Sequence, residues 1–290
     1  MAPSHIARDI SYASSARTRG GRAVIRLVEN ATGRIDLIRR AEGYDRDVAA
    51  GRCFWQVLTD RYGLKLELAG GSLENIPAEG PLVVVANHPY GILDGLMMGR
   101  ILSERRGDFR ILANSVFRRA EALERVILPI SFDDTRAAVQ LNIETRAAAV
   151  AHLQSGGAMA VFPGGTVSTA IRPFGRPMDP GWRSFTARMV ARSGATVVPV
   201  FFAGHNSRLF QLASHLHQTL RLALLLKEFR ARVDHPVRVV IGAPIPASDL
   251  HRFGPDAKAM MDFLRRRTYE LSPEPCGHCY GFDFDAKGKG

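Results

Sequence analysis

The chain is short of cysteine, of lysine and of long apolar runs, and each shortage removes a class of answer. Three cysteines in 290 residues cannot build the disulfide framework of a small secreted scaffold, so a packed core and a reducing compartment are expected. Cys276 and Cys279 bracket Gly277-His278 as a lone C-x-x-C. No second cysteine pair completes a zinc site and no His-rich or carboxylate-rich spacing suggests a catalytic metal, so no metal is expected. The longest apolar candidate, Leu220 to Phe229, is far below the ~20 residues that span a bilayer. The opening "MAPSHIARDISYASSARTRGGRAV" lacks the apolar core of a signal peptide. Any membrane association is therefore expected to be peripheral.

Lysine is confined to Lys65, Lys227, Lys258, Lys287 and Lys289, yet the formal charge is +11. The cation is almost all arginine, which favours anionic partners: phosphates, nucleic acid, an acidic carrier protein or an anionic membrane face. The arginines are scattered, with no nucleic-acid motif or aromatic platform beside them, so nucleic acid is not an expected partner. The apolar fraction of 46% and charged fraction of 23% are those of an ordinary globular protein.

Residues 1–20 are polar and read as a flexible N-terminus; 21–70 carry mainly helical spacing, two or three helices between Arg22 and Gly63, and end in the strand-like "LKLELAG". Across 71–250 the texture is α/β. Apolar β-rich runs recur at Leu82–Asn87, Phe109–Asn114, Ala158–Pro163, Thr196–Gly204 and Val237–Pro244. Helical stretches separate them near Leu93–Arg105, Val116–Val126, Thr135–Gln154, Trp182–Ser193 and Ser207–Ala231. Residues 251–290 read as a C-terminal helix and a loop-like tail. The expectation is an α/β fold: a largely parallel mixed sheet flanked by helices, with an N-terminal helical segment. Ligand sites in such sheets gather where strands end and loops begin.

Three such junctions carry chemistry. The first, "VVVANHPYGILDG", ends a buried run in Asn87-His88-Pro89, with Gly91 and Asp94 following. An imidazole titrates near neutrality, so it can take a proton from an alcohol and return one. A carboxylate on its second nitrogen would fix the tautomer and stabilise the imidazolium. On this pair alone a structural histidine beside a helix N-terminal charge is the simpler explanation of the residues. The second junction, Phe162-Pro163-Gly164-Gly165-Thr166, offers close backbone approach and exposed N–H groups for a phosphate or a polarised carbonyl. It lacks the Lys-Ser/Thr ending of a P-loop. The third, "VVPVFFAGHNSRLF", adds Asn206 and Ser207 as donors. No serine sits in a G-x-S-x-G elbow.

In that order the junctions resemble the lysophospholipid (glycerolipid) acyltransferase family. "ENIPAEGPLVVVANHPYGILDG" is similar to its entry strand and His-to-Asp motif, "VFPGGTVS" to its Phe-Pro-Glu-Gly-Thr block, and "VVPVFFAG" to its late Val-Pro-Val strand. The likeness covers roughly residues 70 to 245. It is nearest to the hemolysin-like branch, which includes acyltransferases that make ornithine lipids.

The resemblance implies a glycerolipid acyltransferase-like fold and acyl transfer to the hydroxyl of a lyso-lipid in membrane lipid biosynthesis. It implies no cofactor beyond the co-substrate, a thioester of coenzyme A or of acyl carrier protein. His88 is the implied general base and Asp94 its orienting partner. Asn87, Pro89, Gly91, Phe162, Pro163, Gly164, Gly165, Thr166, Asn206 and Ser207 are the implied substrate contacts. The implied location is cytoplasmic, on the inner face of the membrane. A non-catalytic, membrane-active protein is the alternative that the branch's label suggests; an ester hydrolase is another.

Two departures bear on the acceptor. Five residues separate His88 from Asp94 where the family commonly has four, and Pro89 and Gly91 are suited to absorb the extra one. The family's second block, with its arginine, has no clear match in "ILPISFDDTR", and the glutamate and following arginine of its third block are Gly164 and Val167 here. Their loss turns the expectation from a phosphate-bearing acceptor towards a lyso-aminolipid, with Arg172, Arg176 and Arg183 downstream as candidate anion contacts. The Ser207–Ala231 stretch mixes apolar and basic residues, and reads either as an interfacial helix or as one packed on the sheet.

Overall fold

The fold is seen in a computed structural model that describes residues 11–13, 16, 18–114, 121–131, 135–277 and 279–284. His278 and the first part of the Val116–Val126 stretch lie outside the described residues. Thr18 caps the first helix, its Oγ1 accepting from Gly21 N at 3.0 Å. Four helices come in succession, α1 (Arg19–Thr32), α2 (Arg34–Ala41), α3 (Tyr44–Ala49) and α4 (Phe54–Arg61). Glycines at positive φ, Gly33 and Gly43, separate the first three. Residues 11–13 are tied down rather than loose: the buried Glu29 of α1 accepts from Ser11 Oγ at 2.6 Å and from Tyr12 N at 2.7 Å.

The remaining elements are β1 (Lys65–Gly70), β2 (Leu82–Ala86), α5 (Ile92–Arg105), β3 (Phe109–Asn114), α6 (Glu121–Glu124), β4 (Ile127–Ile130), α7 (Arg136–Gln154), β5 (Ala158–Val161), α8 (Phe185–Ser193), β6 (Thr196–Phe202), α9 (Arg208–Leu216), α10 (Gln218–Arg230), β7 (Pro236–Ile241), α11 (Ala247–Leu250) and α12 (Ala257–Tyr269). The strands form one sheet in the order β1-β7-β6-β2-β5-β3-β4. Every described neighbour pair is parallel except β6 with β7. β1 joins this sheet through β7, so the sheet reaches back across the 70/71 boundary between the helical segment and the α/β region.

Alternation along β2 explains why its sequence is apolar throughout. Leu82, Val84 and Ala86 point into one core with Trp55, Met97, Ile101 and Phe229, while Val83 and Val85 point into a second with Leu153, Met189 and Leu264. A strand covered on both faces has no polar positions to spare. The N-terminal helices cover the first face. Gly99 of α5 lets Trp55 of α4 lie against the helix backbone, where an added Cβ would come within 2.1 Å of the indole.

Two stretches differ from the sequence reading. "ILPI" forms the edge strand β4, and the single helix expected across Ser207–Ala231 is two, broken where His217 adopts an extended backbone. β2 lies between β5 and β6 and is parallel to both, so the C-terminal ends of all three strands open at one end of the sheet.

Candidate active site

His88 leaves the end of β2 and meets Asp94 in the first turn of α5. Its Nδ1 stands 3.0 Å from Asp94 Oδ2, with the carboxylate fully buried and the imidazole 19% exposed. The approach is close but not aligned as a hydrogen bond. With Nδ1 buried, the partly exposed ring offers its Nε2 edge to a ligand. The Phe162 ring lies against the imidazole with centroids 4.4 Å apart.

The extra residue between His88 and Asp94 is taken up by a turn that folds over the carboxylate. Asp94 Oδ2 accepts from Tyr90 N at 2.8 Å and from Gly91 N at 3.0 Å as well as facing His88. Gly91 makes this possible with φ 84 and ψ −118, a backbone region that residues with a Cβ avoid. Pro89 is buried beneath the same turn, and Tyr90 anchors it by donating from its hydroxyl to Ala203 O at 2.8 Å. Burial pushes the Asp94 carboxyl above the usual carboxylate range, against the pull of His88 and the two N–H groups.

A second carboxylate, not singled out in the sequence, holds the histidine's backbone. Asp179 is fully buried; its Oδ1 accepts from His88 N at 3.2 Å and Ser168 Oγ at 2.5 Å, and its Oδ2 from Trp182 Nε1 at 2.9 Å. Ser168 N donates in turn to His88 O at 2.8 Å. The carboxylate occupies the space beside Gly164, where an added Cβ would come within 3.2 Å of it. The C-terminal tail closes over this region: Gly281 N donates to Asp179 O and Phe282 N to Thr169 O.

The junction after β5 is a tight turn. Gly165 N donates to Phe162 O at 3.0 Å with Gly165 at φ 68, and Pro163 O accepts from Arg183 N. A buried guanidinium from α10 fastens the strap of residues 166–169 beyond this turn. Arg221 Nη2 donates to Thr166 Oγ1 at 3.0 Å and Val167 O at 2.7 Å, and Nη1 to Thr169 Oγ1 at 2.5 Å and Ser214 Oγ at 2.9 Å. The Phe210 and Phe284 rings flank it. Burial lowers the group to about 9, which still leaves it cationic at neutral pH.

The remaining expected contacts divide. Asn87 is buried and both ends of its amide are bonded to Phe202, Nδ2 to O at 2.9 Å and Oδ1 from N at 2.7 Å. It extends the β2–β6 pairing by one residue instead of reaching a substrate. Ser207 likewise caps α9 and donates to the buried Glu228 at 2.6 Å. Asn206 is buried at the β6–α9 junction, with no hydrogen-bond partner for Nδ2 among the described residues. Arg172, Arg176 and Arg183 are exposed. A cavity of about 160 Å³ under Val190, Leu250 and Met260 lies near the start of β6, at the end away from His88. Among the described residues no cluster of metal-ligating side chains occurs, and no helix is long and apolar enough to cross a membrane.

Known proteins match this frame. The profile of the family described as Acyltransferase matches residues 49–274. The lyso-glycine lipid O-acyltransferase of Phocaeicola vulgatus is 27% identical over 190 residues, 63% of this chain and 64% of that one. Its namesake from Bacteroides thetaiotaomicron is 28% identical over 189 residues, 63% of this chain and 66% of that one. The chain thus spans just under two thirds of the length of these curated relatives. The crystal structure of the 1-acyl-sn-glycerophosphate (LPA) acyltransferase PlsC from Thermotoga maritima is similar at 16% identity and a TM-score of 0.44, covering 86% of this chain and 95% of that one; at that score it adds nothing to the assignment. With well over half of its residues matched, the His88–Asp94 pair, the turn after β5 and the Val-Pro-Val strand among them, this chain belongs to the Acyltransferase family.

Proposed function

We propose that the protein is an O-acyltransferase that moves a fatty acyl group from a thioester, acyl-CoA or acyl carrier protein, to the hydroxyl of a lyso-aminolipid. The observation that carries the reading is His88 Nδ1 at 3.0 Å from the buried Asp94 carboxylate, at the open end of the sheet of an acyltransferase-family chain. His88 takes the acceptor's hydroxyl proton on Nε2 as the oxygen attacks the thioester carbonyl. Asp94 stabilises the imidazolium that results. The tetrahedral intermediate collapses by breaking the C–S bond, and the imidazolium returns its proton to the departing thiolate. No acyl-enzyme forms.

The oxyanion needs an N–H donor aimed into the site. Gly165 N is already bonded to Phe162 O, so in this turn the donor is Gly164 N or Thr166 N. Asp179 holds the histidine's backbone and is a positioning residue, as Arg221 is for the strap. The acceptor assignment is supported by the Gly164 and Val167 positions, which bring no charge to the turn, and by the lyso-glycine lipid named for both curated relatives.

The test is to incubate the purified chain with labelled acyl-CoA or acyl-carrier-protein thioester and a panel of lyso-ornithine lipid, lyso-glycine lipid and lysophosphatidic acid. The expected product is an O-acylated aminolipid. Acylation of lysophosphatidic acid alone would overturn the acceptor, and release of free fatty acid alone would point to a hydrolase.

A further inference from the structure

Of the four most exposed large apolar side chains among the described residues, three lie close together at the His88 end of the sheet: Leu216 at 76%, Phe174 at 73% and Ile171 at 63%. Ile171 and Phe174 belong to the loop that continues from the turn beside His88. This loop is clamped along α9, Ala170 N donating to Gln211 Oε1 at 3.0 Å and Ala170 O lying 2.9 Å from His215 Nε2. Leu209 and Leu216 stand i and i+7 on α9, next to the face that holds the loop. Phe174 is at the tip of a turn closed by Gly175 N to Arg172 O at 2.9 Å. Pro173 fixes the entry to that turn.

The charge around this surface is mainly positive. Between Thr166 and Lys227 the only acid in the sequence is Asp179, which is fully buried. Arg172, Arg176 and Arg208 are exposed on the loop and at the start of α9. Asp283 of the docked tail is an exposed acid at its border. Protruding apolar tips ringed by arginine match a layer with an anionic surface and a hydrocarbon interior.

We propose that the Ile171–Phe174 turn and the leucine edge of α9 form the membrane-docking surface of this protein, seated on anionic lipid. The inference rests on the lyso-lipid reading of the acceptor for its purpose, since it sets the His88 end of the sheet at the bilayer, where such an acceptor resides. For the binding itself, the apolar tips and the arginines around them are sufficient.

The experiment is co-sedimentation of the full chain with vesicles of phosphatidylglycerol and phosphatidylcholine in equal parts, without acyl donor. The wild type is compared with Ile171→Ser/Phe174→Ser and with His88→Ala. The double variant removes no buried contact and should melt at the wild-type temperature, yet lose about tenfold or more in vesicle affinity. His88→Ala should bind as the wild type does, so the result is independent of turnover. Binding by the wild type should weaken at high salt and on phosphatidylcholine alone. Wild-type affinity in the double variant, or no binding of the wild type to the anionic vesicles, overturns the proposal. Unchanged vesicle binding with lost binding of acidic acyl carrier protein would overturn it in favour of a carrier-docking surface.

Discussion

Asp94 sits under two opposed demands. Full burial opposes its charge, while the proposed role of His88 as base calls for a carboxylate facing it. A carboxyl whose folded pKa is raised holds its proton more tightly in the folded chain than in the unfolded one. Its ionised form therefore costs stability above the folded pKa, and the cost vanishes below the unfolded value of ~4. Asp94→Asn keeps an oxygen for the Tyr90 and Gly91 N–H groups and removes the charge. Its melting temperature at neutral pH should equal or exceed that of the wild type, with the difference closing as pH falls towards 4. Acyl transfer should fall ~10²–10⁴-fold. Thermal melts across pH beside initial rates measure both; a clearly destabilised Asn variant at neutral pH would contradict the assigned balance. His88 and Asp94 were legible in the sequence because they are neighbours joined by one turn. Asp179 and Arg221 were not, because the contacts that tie them to the site, to His88 N and to the strap, span 91 and 52 to 55 residues and nothing local distinguishes a buried clamp from a surface charge.

The loop after β5 depends on α10. Arg221 offers four hydrogen bonds in a planar fork, and a lysine ammonium has three donors at a single point. Arg221→Lys should therefore free part of the Thr166–Thr169 strap, lowering stability by ~2–4 kcal/mol and activity with it. Hydrogen exchange should show faster amides at 166–169 with the β2 amides unchanged; unchanged exchange in the strap would refute the clamp. Other elements show what a single sequence conveys. β2, β5 and β6 announced themselves because burial on both faces leaves uninterrupted apolar runs. β4 did not, since Pro129 interrupts it and it lies at the sheet's edge, where a missing N–H is tolerated. The break at His217 has no proline or glycine to mark it, so α9 and α10 read as one helix.

At the scale of the whole molecule, the +11 charge is arranged rather than spread. Arg172, Arg176 and Arg208, from a stretch Thr166 to Lys227 whose one acid is buried, lie exposed at the open end of the sheet, while ion pairs such as Arg40–Asp234 and Arg238–Glu67 balance charge elsewhere. Net charge in the sequence pointed to an anionic partner; only the fold brings Arg172, Arg176 and Arg208 together with the exposed tips of Ile171, Phe174 and Leu216 at the same end as His88. The central claim is that His88 is the base for acyl transfer at that end. It is tested most directly by the rate at which wild type and His88→Ala form labelled O-acyl aminolipid from the same acyl thioester, both proteins having the same melting profile. The account predicts a loss of ~10²–10⁴-fold in the variant; near-wild-type product formation by His88→Ala would contradict it.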